Sequence, residues 1–150
     1  KKQKPLVKSY GTDELRDSMI GGSGAMWLTY SGDAVYCMQQ NEDLAFSVPE
    51  EGSNLFFDCM VIPKSAKNPE AAEKFINFLL QPDVAKINTE YIGYSTPNAE
   101  ALKILDPEYL NNNAFNPEDD VIARCEVFGD LGEFTQVYSD AWQEVKLYNP

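Results

Sequence analysis

The spacing of apolar positions changes along the chain, and each change marks an element. Ala25-Met26-Trp27-Leu28-Thr29-Tyr30 is a nearly continuous apolar run of strand length, the pattern of a strand buried on both faces of a sheet. Residues 44–48 and 55–62 are shorter apolar runs bounded by turn residues, and both are predicted as strands. Ahead of the first run, Leu15, Met19 and Ile20 recur at helical spacing and Gly21-Gly22-Ser23-Gly24 follows them. A short helix is predicted there, capped by Thr12 or Asp13. After it, Ser31-Gly32 breaks the run, and Asp33 stands where an N-cap belongs for a helix over 34–40.

The second half reads as helical. Asn68-Pro69-Glu70 carries a cap, a proline at the first turn and an acid facing the macrodipole, with Ala72, Phe75, Ile76 and Leu79 as a core stripe. Gln81-Pro82-Asp83 restarts a helix to Tyr91, closed by Ile92-Gly93. Pro97 opens another short one toward Leu105. Residues 111–120 read as surface loop with at most a helical turn. A last amphipathic helix is predicted from about 133 to 147, with Phe134, Val137, Tyr138, Ala141, Trp142 and Val145 on its buried side. Strands alternating with helices make the fold class α/β, helix-rich toward the end.

Charge then narrows the function. Among the 150 residues, 24 acids against 12 bases give 12 − 24 = −12, a field that repels nucleic acid and anionic headgroups and favours cations. The absence of histidine excludes Ser-His-Asp and Cys-His catalysis and imidazole zinc sites within the chain. Cys37, Cys59 and Cys125 have no C-x-x-C spacing, so each reads as a small hydrophobe, with no disulfide, metal or cofactor expected. No run approaches the roughly 18 apolar residues of a membrane span.

Two acids stand beside aromatics. Asp33 follows the run ending in Tyr30, and Asp58 lies in an apolar strand two residues after Phe56, on the same face. A carboxylate next to a ring suits an ammonium on a methylene chain: the acid takes the charge, and the ring packs the methylenes or adds cation–π attraction of about 0.5 to 2 kcal/mol. The residues alone leave other readings open. Asp33 can be only a helix cap and Asp58 can pair with a lysine or backbone amides. An acid pair also serves glycosidases and calcium sites, although no D-x-D-x-D-G loop occurs.

Four segments resemble a known family in order and spacing. They are Tyr30-Ser31-Gly32-Asp33-Ala34; Phe56-Phe57-Asp58 leading into Val61-Ile62-Pro63; Asn68-Pro69-Glu70-Ala71-Ala72 with the helix through Leu80 and Gln81-Pro82-Asp83-Val84-Ala85; and Ile92-Gly93-Tyr94-Ser95-Thr96-Pro97-Asn98. Together they look like the carboxyl-terminal part of the spermidine/putrescine-binding proteins of ABC transporters. The resemblance implies part of a two-lobed periplasmic-binding-protein type II fold holding a polyamine between its lobes. It also implies that Asp33 and Asp58 bind ammonium groups while Tyr30, Phe56 and Tyr94 line the cleft. A glutamine that contacts the ligand in some members falls at Phe128, flanked by Glu126 and Asp130.

The family's polypeptide is about twice as long, so the resemblance marks the chain as a fragment, and its basic opening without an apolar run behind it reads as an internal cut. Residues 1–52 are expected in the second lobe, 53–100 in the first, and 101–150 back in the second. The implied protein is an extracytoplasmic bacterial receptor, not an enzyme, whose partners are a polyamine and ABC permease subunits, with no nucleic acid. The rivals are a receptor for a sugar or iron complex, an acidic interaction module and a calcium-dependent hydrolase fragment. Alone, the chain is expected to hold no polyamine tightly and to cover its apolar surface by dimerisation or element swapping.

Overall fold

The computed structural model describes residues 1–149. Helix starts and stops follow short polar signals, though not always the residues that the pattern singles out. A 3-10 turn (Asp13–Leu15) leads into α1 (Arg16–Ile20), which Gly21 ends. Thr12 does not cap α1, because its amide and hydroxyl both donate to the Glu14 carboxylate, at 3.1 and 2.9 Å. Helix α2 (Ser31–Gln40) starts earlier than predicted, from an extended Tyr30 (φ −75°, ψ 149°), which places Asp33 in the first turn instead of at the cap. Ser31 and Gly32, which read as a break, are absorbed into the helix.

The middle helices match their caps closely. The Asn68 side chain accepts the Ala71 N–H at the start of α3 (Pro69–Leu79). Proline opens α4 (Pro82–Ile92), and Gly93 closes it in the left-handed region at φ 81°, where a side chain is strained. Asn98, rather than Pro97, sets the start of α5 (Ala99–Leu102). Its Oδ1 accepts from Glu100 N and Ala101 N at 3.1 Å each, while its Nδ2 donates to Leu80 O at 2.8 Å and so ties α5 to the α3–α4 turn. Then come α6 (Pro107–Leu110), α7 (Asp119–Ala123) and α8 (Phe134–Leu147). Lys86 on α4 pairs with Glu90 and reaches Asp106 at 3.4 Å, fastening α4 to the turn before α6.

The core is small: Val35 of α2 packs with Leu105, Ala114 and Phe115, and Met38, Phe46, Leu102, Tyr109 and Leu110 close around them. Phe115 is the largest fully buried side chain, and Tyr109 lies tilted against it at 5.0 Å between ring centroids. The loop expected over 111–120 thus delivers a central core residue.

Two sequence expectations differ from the structure. Residues 25–30, 44–48 and 55–62 form no ladder; the one β-bridge among the described residues is parallel, between Asn54 and Glu126. A strand needs a neighbouring segment to take its amides and carbonyls, and among the described residues only Leu55, at the start of the last run, meets one, at Glu126. Helix α8 forms as predicted, but its apolar side stands open: Phe134, Val137 and Tyr138 are each about 60% exposed or more, and Trp142 is 45% exposed. The Phe75 ring on α3 is likewise exposed. The periodicity is right, and Tyr10 meets Trp142 edge-on, with ring centroids 5.0 Å apart.

One close approach organises the rest. Ser53 O accepts from Glu126 N (2.9 Å), Leu55 N donates to Glu126 O (2.8 Å), and Arg124 Nε donates to Pro49 O (3.1 Å). Two passages of the chain therefore run side by side here. Gly52 makes this possible: its φ is 93°, and a Cβ there would lie 1.9 Å from Arg124 O.

Candidate functional site

The left-handed turn at Gly93 reverses the chain after α4 and drops the Tyr94 ring onto the first turn of α2. It fits because position 32 has no side chain; a Cβ on Gly32 would lie 2.2 Å from Tyr94 Cε2. From this seat Tyr94 meets Phe56 edge-on, with ring centroids 6.0 Å apart and planes at 74°. Phe56 in turn meets Tyr30 at 5.5 Å and 71°. Three rings from three separate segments thus form an arc in which Phe56 meets each tyrosine in a T-shaped contact, a favoured geometry for aromatic quadrupoles.

The arc lies on a cleft of about 860 Å³. Tyr30, Phe56, Asp58 and Tyr94 all line it, so four of the five residues singled out in the sequence converge there. Asp58 is exposed, and its carboxylate is open to an incoming group. Asp33 is not on the lining. Its side chain is 13% exposed and pairs with Arg16, Nη1 to Oδ1 at 3.6 Å, while the Thr29 hydroxyl donates to its other oxygen at 3.4 Å. Of the residues near the expected glutamine position, Phe128 and Glu126 line the cleft; Asp130 does not, and it accepts the Gly132 N–H at 2.9 Å instead.

Both acids act on Tyr94. Burial raises its hydroxyl above the ordinary value, and the negative charges of Asp33 and then Asp58 push the same way. Tyr94 is therefore a neutral hydroxyl, able to donate or accept, within the field of two carboxylates. Burial likewise raises the Cys37 thiol, helped by Asp33, so it is a packed thiol and not a nucleophile. All three cysteines are free thiols.

Two contributors were invisible to pattern reading. The chain has only two arginines, and both belong to this region: Arg16 beside Asp33, and Arg124 on the cleft wall. Their scarcity in a chain rich in lysine was the one available signal, since arginine is the cation suited to partly buried pairs. The cleft lining carries three carboxylates, Glu51, Asp58 and Glu126, against the single cation Arg124. Such a wall attracts a cation, and rings without a covering side chain offer it π faces and apolar contact.

Comparison with known proteins gives the same direction. Residues 1–117 match the family described as bacterial extracellular solute-binding protein. The spermidine/putrescine-binding periplasmic protein of Salmonella typhimurium is 36% identical over 146 residues, covering 97% of this chain and 42% of that protein. The crystal structure of a spermidine/putrescine ABC transporter substrate-binding protein from Streptococcus pneumoniae, in complex with calcium and HEPES, superposes with a TM-score of 0.81 at 42% identity, covering 91% of this chain and 42% of that one. A Listeria monocytogenes structure described as a spermidine/putrescine ABC transporter gives 0.84 at 42% identity, covering 97% and 45%. The chain thus spans about 42% of the length of the curated relative. These neighbours are substrate-binding proteins of the periplasmic-binding-protein fold, the fold expected from the sequence. With a family model spanning most of its length and superposition at this level, the chain belongs to the bacterial extracellular solute-binding proteins.

Proposed function

We propose that this chain forms one wall of a polyamine receptor that delivers spermidine or putrescine to an ABC importer outside the cytoplasm. The observation that carries the reading is the arc Tyr30, Phe56 and Tyr94 on one cleft with the Asp58 carboxylate. A polyamine is a methylene chain punctuated by ammoniums, and rings beside an open carboxylate match both parts. The relatives' descriptions as spermidine/putrescine-binding proteins support the same substrate class. The role is capture, not chemistry: the acids take ammonium groups, the rings pack methylenes, and the loaded receptor is presented to permease subunits. Asp33 serves as the second acid in this reading, reached past Tyr94. No helix among the described residues is long and apolar enough to cross a membrane.

In the same reading, residues 1–52 and 101–150 belong to one lobe and 53–100 to the other. Packing of Val35 against Leu105 and Phe115 supports the first grouping, and the paired passages at 53–55 and 124–126 are consistent with chain crossing between lobes.

Calorimetric titration of the full-length receptor with spermidine, putrescine, maltose and calcium tests the proposal. Binding of an amine and silence toward maltose are expected, and Asp58→Asn should weaken the amine by about 2 to 5 kcal/mol, the usual cost of truncating one partner of a desolvated charge pair. Binding of maltose without either amine would move the protein to another solute class.

A further inference from the structure

Asp33 is an odd acid. It is mostly buried, yet its carboxylate has no short bond: the Thr29 hydroxyl stands at 3.4 Å, and Arg16 Nη1 at 3.6 Å is an ion pair beyond hydrogen-bond reach. A carboxylate in this setting normally takes charge-assisted bonds of about 2.7 to 2.9 Å. Arg16 is anchored without Asp33, since its Nε donates to Asp13 O at 3.2 Å and its guanidinium lies over the Tyr36 ring at 5.5 Å. The guanidinium is therefore parked beside Asp33 rather than clamped to it, and it has somewhere to remain when the pair opens.

We infer that Arg16 is a resident competitor for Asp33, a built-in cation that a ligand ammonium must displace and that lowers affinity for polyamines. This rests on the polyamine reading and deepens it. Without Arg16, Asp33 would present an unopposed charge beside Tyr94 and would hold a long polyamine whose second ammonium reaches it. With Arg16 in place, part of each such contact is spent in opening the resident pair. Because that pair is long and its arginine half-exposed, its removal is expected to tighten binding about three- to fivefold, the upper range for partly exposed ion pairs.

The test is spermidine titration of the full-length receptor carrying Arg16→Met or Arg16→Gln, each made also in an Asp33→Asn background. Melting curves without ligand establish that each variant folds, and Gln, which keeps a polar stem, serves if Met does not. Tightening by three- to fivefold with Asp33 present, and none in the Asp33→Asn background, is the expected result. Unchanged or weaker binding overturns the inference and makes Arg16 a positioning residue. Equal tightening in both backgrounds also overturns it, because the effect would then be net charge alone. If the unaltered receptor gives no heat with either spermidine or putrescine, the polyamine reading fails and takes this inference with it; binding of whichever amine gives heat that is indifferent to Arg16 removes the inference alone.

Discussion

Gly32→Ala adds one methyl group, and the structure states where it must go. The new carbon would lie 2.2, 2.4 and 2.6 Å from Cε2, Cζ and Cδ2 of Tyr94. Carbon atoms rest at about 3.5 to 4.0 Å, so ring or helix has to retreat by roughly 1.3 Å. Helix α2 is seated by Ala34, Val35 and Cys37, all buried, so the ring moves. On stability two terms oppose each other. Alanine in a helix gains about 0.5 to 1 kcal/mol over glycine, and overpacking costs about 1 to 3. The net loss is therefore small, about 0 to 2.5 kcal/mol, a few degrees in melting temperature. On ligand a second effect follows, since the ring leaves its contact with Phe56 at 6.0 Å and ceases to wall the cleft. The Tyr94–Phe56 contact is lost from free and bound protein alike, so the affinity loss is the cation–π contribution of about 0.5 to 2 kcal/mol, a weakening of roughly twofold to thirtyfold. Melting curves and spermidine calorimetry on the full-length receptor separate the two. A variant that binds as tightly as the unaltered protein would refute the packing of Tyr94 on Gly32 as the support of the cleft wall.

Gly52→Ala should be more damaging, because its added carbon meets backbone, Arg124 O at 1.9 Å, in a left-handed conformation at φ 93°. A loss of about 2 to 5 kcal/mol is expected, and a melting temperature equal to the parent's would mean that the passages at 53–55 and 124–126 are not paired as described. Asn98→Ala removes a cap and the bond to Leu80 O, about 1 to 2 kcal/mol by urea denaturation. Asn98→Asp, which keeps the cap oxygen but not the donor, should fall between; equality with alanine would argue against the cap. At alkaline pH four groups act in one direction. Cys37 is raised above 9.0 and Tyr109 above 10.0, both chiefly by burial, Tyr94 above 10.0 chiefly by burial and then by Asp33 and Asp58, and Lys86 above 10.5 chiefly by its bond to Glu90. All hold their protons more tightly folded than unfolded, so their contribution is complete below the ordinary values and is lost as pH rises through the folded ones. Urea midpoints measured from pH 7 upward should therefore be level at first and decline beyond about pH 9, and a rise there would contradict these shifts.

Helix ends were legible residue by residue because a cap is decided within one turn. Asn68 and Gly93 do what their types permit at those places, and no distant group is needed. Two readings slipped. A near neighbour, Glu14, took the Thr12 hydroxyl, and Ser31 and Gly32, on which the Tyr94 ring sits, joined α2, so that Asp33 entered the first turn. Apolar spacing also gave the strand-like runs and the amphipathic face of α8 correctly as patterns. Pairing and covering depend on segments outside the pattern: among the described residues Leu55 alone of these runs pairs with a distant backbone, and most of the α8 face is exposed.

The cleft divides the same way. Ring and acid types at positions 30, 33, 56, 58 and 94 could be read one at a time, as could a net charge of −12 that favours a cationic ligand. Composition and local order determined that much, because they depend only on which side chains are present and on their near neighbours. That Phe56 bridges two tyrosines from other segments, that Asp58 opens to the cleft, and that Asp33 is withdrawn behind an arginine were decided only by the tertiary structure. Contacts between residues distant in the chain carry no periodic trace, and the pairing of Arg16 with Asp33 exists only because α1 folds back against α2.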